Sequence, residues 1–332
     1  MWFTQLMGFK EASPQQVRDN IRLDGNTIQS LVNSKTFTCG MLETPSLFEL
    51  RRRVCELTTE NATLSVREQI ADAQALHADI DNASALIQVA SQFNLLEMIS
   101  PSATPEQGVE IYENDYTQGP ACAIAAGAGT IYRNYLVPVN NTTGQSATNQ
   151  IDCLADIGAL LGNTDNTLWE MTNGYALASE QGLRQITDQL AAANEKQLDE
   201  IRSALRIGLQ WNTEATLTET RHTLSQAYCS ALPVAYSAHP PLLWEKFARL
   251  VLEASYEACL AAAVLNYHNT GNNKVYLTLI GGGAFGNDTD WIMQAIHRAL
   301  RLFKHTNLDV VIVSHSRSNP AVQNLVIDFY TE

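Results

Sequence analysis

Lys274 to Ile292 reads KVYLTLIGGGAFGNDTDWI. Lys274 to Ile280 is rich in β-branched and aromatic residues and suits a strand, while Ile292, Ile296, Ala299 and Phe303 recur at the spacing of one helix face. Between them lie Gly281, Gly282, Gly283, Ala284, Phe285, Gly286 and Asn287. Strand, glycine-rich loop and helix in that order is the repeating unit of layered α/β domains. Glycines let a backbone approach a ligand closely, several N–H groups turn into such a loop, and the following helix offers its positive end near Asp288 to Asp290. A diphosphate fits that description. So does a plain turn closing a strand–helix corner, with Asp288 or Thr289 as N-cap.

Gly281-x-Gly283-x-x-Gly286 also matches a dinucleotide fingerprint, but its context argues against a nicotinamide cofactor. Such a domain needs an acidic residue at the carboxyl end of the next strand to hold the ribose hydroxyls. The next strand, Leu308 to Ser314, ends in Ser314-His315, and Asp309 sits at its other end.

Upstream the pattern is strands separated by helices, which predicts an α/β layered domain. Ala85 to Ser91 reads as a buried strand, Gly129 to Val139 alternates like one, and Ile207 to Asn212 and Ser225 to Tyr236 supply two more. Gln150 to Leu161 and Ser179 to Arg206 carry helical spacing, and Trp244 to Asn266 reads as a long helix ending near Gly271. Residues 1–65 read as a helix, hairpin, helix extension packed on a main domain of residues 66–332. Ser13-Pro14 opens its first helix, and Ser46 with Glu49 forms a capping box for its second.

A second stretch carries chemistry. After the strand at Ala85 come Gln92, Phe93 and Asn94, then a loop with Glu113, Asp115 and Gln118, then Gly119, Pro120 and Ala121 opening a helix. Asn94 at a strand end either bonds a sugar hydroxyl or caps a turn. Glu113 and Asp115 lie just ahead of a helix N-terminus, so a ligand's charge or a water fits between them; the plain alternative is a solvated acidic loop. Asp79, before the first strand, either receives an adenine amino group or serves a turn. His315 follows the last strand, where it either lies near an adenine or, as a lone histidine more often does, serves as a surface or satisfied polar group.

The bulk numbers narrow the partners. A net charge of -14 and a pI near 4.9 oppose nucleic acid and anionic membrane surfaces. Six cysteines stand singly with no C-x-x-C pair, so no metal site and no disulfide framework is expected. No basic leader with an apolar core opens the chain, and no run reaches the length of a membrane span. A cytoplasmic place of action is the expectation.

Strand, Phe93-Asn94, acidic loop, helix and the distal Gly281-Gly282-Gly283-Ala284-Phe285-Gly286-Asn287 loop together resemble the macrodomain superfamily, in its poly(ADP-ribose) glycohydrolase-like branch. The resemblance spans roughly Gln74 to Ser316. It implies a three-layer α/β/α fold with a mixed central sheet, no cofactor, and ADP-ribose as the ligand. The branch's glycine run followed by Gln-Glu-Glu is replaced here by Tyr112-Glu113-Asn114-Asp115-Tyr116-Thr117-Gln118. That departure points away from cutting ribose–ribose bonds. It points toward the mono-ADP-ribosyl hydrolases, some of them arginine-directed and some of them effectors delivered into a host cytosol. Carried over residue by residue, the resemblance implies Asp115 or Glu113 as the catalytic carboxylate, Asn94 with Gln118 on ribose, and Gly281 to Asn287 on the diphosphate. It implies Phe285 beneath them and an ADP-ribosylated protein as substrate. Two other classes use the same loop: a non-catalytic reader of ADP-ribose, and an NAD-dependent oxidoreductase.

Overall fold

The structure, a computed structural model, describes residues 1–57 and 62–331. Seven strands form its central sheet: β1 (Met41–Glu43), β2 (Ser65–Ile70), β3 (Leu86–Ala90), β4 (Gly208–Glu214), β5 (Thr223–Cys229), β6 (Lys274–Leu277) and β7 (Asp309–Ser314). Their order across the sheet is β1-β4-β5-β3-β6-β7-β2. From β5 through β2 the neighbours run parallel, while β4 and β1 add antiparallel at one edge. The central strand β3 shows no alternation, because helices cover both of its faces and four of its five residues are buried.

One face carries α1 (Ala73–Ala78) and α2 (Gln118–Ala125), and the other carries α3 (Pro241–Thr270) and α4 (Thr289–Leu302). Pro241 starts α3 in the first turn, where its missing N–H costs nothing. Helix α3 is buried almost all round from Leu250 to Asn266, since the sheet lies beneath it and α4, Glu180–Ala192 and Leu47–Cys55 pack around it. Small side chains at Ala254, Ala258, Ala261 and Ala262 let it lie close to the strands.

The amino-terminal segments Trp2–Met7 and Pro14–Asp19, with a three-stranded sheet, build a second core around Phe3, Met7, Val17 and Ile28. That core is continuous with Leu96, Met98, Val109 and Tyr112. The chain joins the central sheet at Met41, ahead of the boundary expected at residue 65. Ser46 and Glu49 form the expected capping box on Leu47–Cys55.

Of Gly129 to Val139, expected as one strand, only Pro138–Val139 is extended, in a two-residue ladder with Thr142–Thr143. Gly127–Ile131 is helical and runs into one π-turn at Tyr132–Leu136. Thr130, Ile131, Arg133, Asn134 and Tyr135 are all buried, so no solvent-facing side imposes a helical period on the sequence. Ser179 to Arg206 is two helices, broken at Ala193, with Asn194 and Gln197 forming a new capping box. Among the described residues no helix is long and apolar enough to cross a membrane, and no group of His, Cys, Asp and Glu is placed to hold a metal ion. All six cysteines are free, and five of them are buried.

Candidate functional site

β3 and β6 part company early. They pair at Leu86–Val275 and Ile87–Tyr276, and β6 ends at Leu277. Beyond that point side chains stand in for the missing ladder. The Gln118 side chain accepts from Ala90 N (2.9 Å) and donates to Gln88 O (2.9 Å), while Gln88 Oε1 accepts from Thr278 N (3.0 Å). A crevice opens outside the carboxyl ends of the strands, the usual place for a ligand on an open α/β sheet.

Two adjoining cavities occupy it. One of about 160 Å³ is walled by Gln92, Glu97, Asp115, Gly119, Tyr175 and, from the glycine-rich loop, Gly281, Gly283, Ala284 and Phe285. The other, about 300 Å³, is lined by Asp72, Tyr116, Ala121, Tyr276, Val313 and His315. Thr117, Gln118, Thr278 and Gly283 border both, so the two form one elongated cleft.

The glycine-rich loop forms one side of this cleft. Gly281 has φ +78, and a Cβ there would sit 2.5 Å from Ala231 Cβ, so glycine is required. Asn287 closes the loop: its N–H bonds Gly281 O (2.8 Å) and its side chain bonds Leu232 O (2.8 Å). Gly281, Gly283, Ala284 and Phe285 line the cavity, and their N–H groups find no acceptor among the described residues. A run of unpaired amides at the edge of a cavity suits an anion. The positive end of α4 does not contribute, because Asp288 caps it and neither Asp288 nor Asp290 reaches the cavity. Phe285 packs in a triangle with Tyr175 (5.3 Å) and Tyr236 (5.5 Å) at the cleft wall.

Opposite the loop stands a carboxylate that the sequence reading passed over. Glu97 is 3% exposed, and its Oε1 is buried with no hydrogen-bond partner. Its Oε2 lies so close to α2 that a Cβ on Gly119 would come within 2.2 Å of it, and within 2.1 Å of Ala90 O. Burial pushes the Glu97 carboxyl well above the usual carboxylate range; the charge of Arg133 works against that shift and the charge of Asp115 adds to it. The turn before Glu97 is strained, with Leu95 at φ +64, a conformation that costs a leucine about 1–3 kcal/mol.

Asp115 lines the same cavity as Glu97, half-buried, with its Oδ1 accepting from Thr117 N (2.9 Å). Glu113 does not join them. Its Oε2 accepts from Trp2 N (3.3 Å) and lies 3.6 Å from the amino-terminal nitrogen, because the five-residue 3-10 turn Glu110–Asn114 aims it at the amino-terminal helix. Asn94 is fully buried behind the wall, spent on Leu96 N (3.1 Å) and Gln150 (2.8 Å), and is a turn residue. Phe93 is core. Gln92 lines the cavity while its Oε1 accepts from Met98 N (2.7 Å). Gly119, Pro120 and Ala121 border the cleft at the start of α2. Asp79 lies outside it, capping a turn through Asp81 N, and the acid that lines the second cavity is Asp72. Asp72 caps α1 through Oδ1, which leaves its second oxygen open. Gly282, Gly286 and Asn287 shape the loop without lining the cleft.

No family model matches the chain, and no curated protein matches it by sequence. Among solved structures the chain is similar to the poly(ADP-ribose) glycohydrolase of Thermomonospora curvata bound to the inhibitor ADP-HPD. The identity is 11% and the TM-score 0.43, over 96% of this chain and 95% of that one. It is also similar to the Deinococcus radiodurans poly(ADP-ribose) glycohydrolase in complex with ADP-ribose, at 12% identity and TM-score 0.41, over 97% of this chain and 96% of that one.

Proposed function

We propose that this protein is an ADP-ribosyl hydrolase that binds ADP-ribose along the cleft and releases it from a modified protein, with arginine as the acceptor side chain. The observation that carries the reading is one cavity lined by a buried carboxyl at Glu97 whose Oε1 has no partner, a second carboxyl at Asp115, and a loop with unpaired amides.

In this reading the diphosphate lies on the amides of Gly281, Gly283, Ala284 and Phe285. The base occupies the second cavity, where the open oxygen of Asp72 meets an amino group and Tyr116 and His315 form the rim. The distal ribose then reaches the two carboxyl groups. Cleavage of a glycosidic bond passes through an oxocarbenium-like state and needs one acid and one base. Glu97, its carboxyl raised by burial, is the acid: it gives its proton to the departing nitrogen as the bond to the anomeric carbon breaks. Asp115 faces the positive charge and takes a proton from the water that attacks the same carbon. A guanidinium acceptor suits a mouth walled by the rings of Tyr175, Tyr236 and Phe285, because cations favour aromatic faces and acidic neighbours. Free, unpaired cysteines suit a reducing cytosol, either the protein's own or that of a host.

The test joins calorimetry with turnover. The wild-type protein should bind ADP-ribose and release it from ADP-ribosylated arginine on a protein. Glu97→Gln should keep the affinity and lose about 10²–10⁴ in rate. Binding without turnover on arginine-, glutamate- or serine-linked substrates would make the protein a reader of ADP-ribose, and absence of binding would overturn both readings.

A further inference from the structure

Arg133 has no place in the reaction just described, yet its setting is unusual. The π-turn Tyr132–Leu136 carries it into the interior, where it is 0% exposed and has no carboxylate within ion-pair distance among the described residues. Its Nε donates to Leu95 O (3.1 Å), Nη2 to Thr130 Oγ1 (3.0 Å), and Nη1 lies 3.5 Å from Gln210 Oε1. The guanidinium carbon Cζ lies 3.7 Å from the centre of the Tyr228 ring. An irregular π-turn costs regular helical bonds and tends to persist where it aims a functional group.

What Arg133 holds is the left-handed residue two positions before Glu97. Leu95 carries the positive φ that turns the chain so that Glu97 faces the cleft, and its carbonyl accepts from Arg133 Nε. Gln145 Nε2 adds a second clasp, donating to Asn94 O (3.0 Å) and to Arg133 O (3.1 Å), so the turn and the π-turn are tied at two points. A buried cation must also be answered by charge or by dipoles. The carbonyl, hydroxyl and ring supply dipoles, and Glu97 is the carboxyl on which its field acts. The other titratable groups around Glu97 are Asp115, Tyr112, Cys122, Tyr175 and Tyr228, none of them basic.

We propose that Arg133 is a positioning residue for Glu97: it clamps the strained turn that aims the carboxyl into the cleft, and its buried positive charge acts on that carboxyl from behind the turn. The inference rests on the reading of Glu97 given above, and its test is independent of turnover. Carbon-13 labelling of glutamate carboxyls, with Glu97→Gln to assign the signal, follows the Glu97 titration in the protein alone. Arg133→Met removes an opposite charge, so the titration should move to higher pH by at least about one unit. Arg133→Lys keeps the charge and loses the planar fork, so the titration should stay near that of wild type while the turnover rate falls. Arg133→Gln is the second neutral variant should Arg133→Met fail to fold. A Glu97 titration unmoved in a folded neutral variant overturns the proposal, whether or not the protein hydrolyses anything. A moved titration in a protein without turnover keeps the proposal and removes the reaction.

Discussion

Gly119→Ala tests the closest approach in the site. A methyl group there would stand 2.1 Å from Ala90 O and 2.2 Å from Glu97 Oε2. Both neighbours are inside ordinary contact, so something must give by roughly 1 Å, and overpacking of that order costs about 1–3 kcal/mol. Ala90 O belongs to the end of β3 and is held there, because Ala90 N takes the Gln118 side chain and the strand pairs with β5. Swinging the Glu97 carboxyl aside leaves the contact with Ala90 O, so α2 must recoil, which strains the Gln118 bonds and loosens the packing of Gly119 against Glu97. That recoil shifts the wall against which the proposed acid Glu97 packs, and a misplacement of about 1 Å is worth roughly 10² in rate. Expected are a Tm lower by about 1–4 °C and a turnover lower by about 100-fold, read by scanning calorimetry and by initial rates of ADP-ribose release well below Tm. Because both act through one carboxylate, Gly119→Ala combined with Glu97→Gln should cost little more than Glu97→Gln alone. A Gly119→Ala protein with native Tm and native rate would refute the packing argument, and fully multiplicative losses in the double variant would refute the shared cause.

Three further outcomes follow from the same geometry. Gly281→Ala, at φ +78 and against Ala231, should lower stability and weaken ADP-ribose binding about tenfold, whereas Gly283→Ala meets nothing within 4 Å and should leave the unfolding free energy unchanged within about 0.5 kcal/mol; equal stability losses would contradict the assignment. Asp115→Asn should cost at least about 10² in turnover, while Glu113→Gln, which loses only a partly exposed contact with the amino-terminal helix, should keep turnover within about twofold and the unfolding free energy within about 1 kcal/mol. The third concerns His77, buried and held at a pKa of about 4 against 6.5 by desolvation, with Nδ1 bonded to Ala73 O and Nε2 accepting from Gln226. Between those values the unfolded chain binds the proton and the folded one does not, so this contribution is full above pH 6.5 and is lost as pH falls toward 4, by up to ~3 kcal/mol. Urea midpoints at pH 4.5 and 7 should therefore converge in His77→Gln, and an unchanged pH slope would sink the assignment.

The layered α/β character was legible because β3, β4, β6 and β7 carry strand composition and α3 and α4 carry strong helical spacing between clear stops. Two kinds of element escaped. The segment from Gly127 to Leu136 is buried all round, so its helical period has no polar phase to be read against. β2, with the pattern exposed, buried, exposed and then partly buried, is an edge strand whose charged and amide side chains hide its alternation. The hairpin Trp169–Thr172 and Tyr175–Ala178, which brings Tyr175 to the cleft, turns on Asn173-Gly174, a signal present in the sequence and passed over.

The site was legible where backbone geometry dictates residue type, and illegible where tertiary placement does. The loop from Gly281 had to be glycine-rich for reasons visible locally, and Asp115 sits next to it across the cleft. Asn94 and Asp79 looked like ligand groups by position along the chain, but each spends its side chain on its own turn, as short polar residues at strand and helix ends usually do. Glu97 gave a different kind of signal. It is the one acid in Phe93-Asn94-Leu95-Leu96-Glu97-Met98-Ile99, a run whose composition places it in the core. Burying a carboxyl there without a partner costs enough that a sequence keeps it only against some return. Asp115, by contrast, lies in a polar loop where an acid costs nothing and so carries little information. The more an ionisable residue conflicts with its neighbours in the chain, the stronger its claim to a role, and by that measure Glu97 outranked both acids that the loop offered.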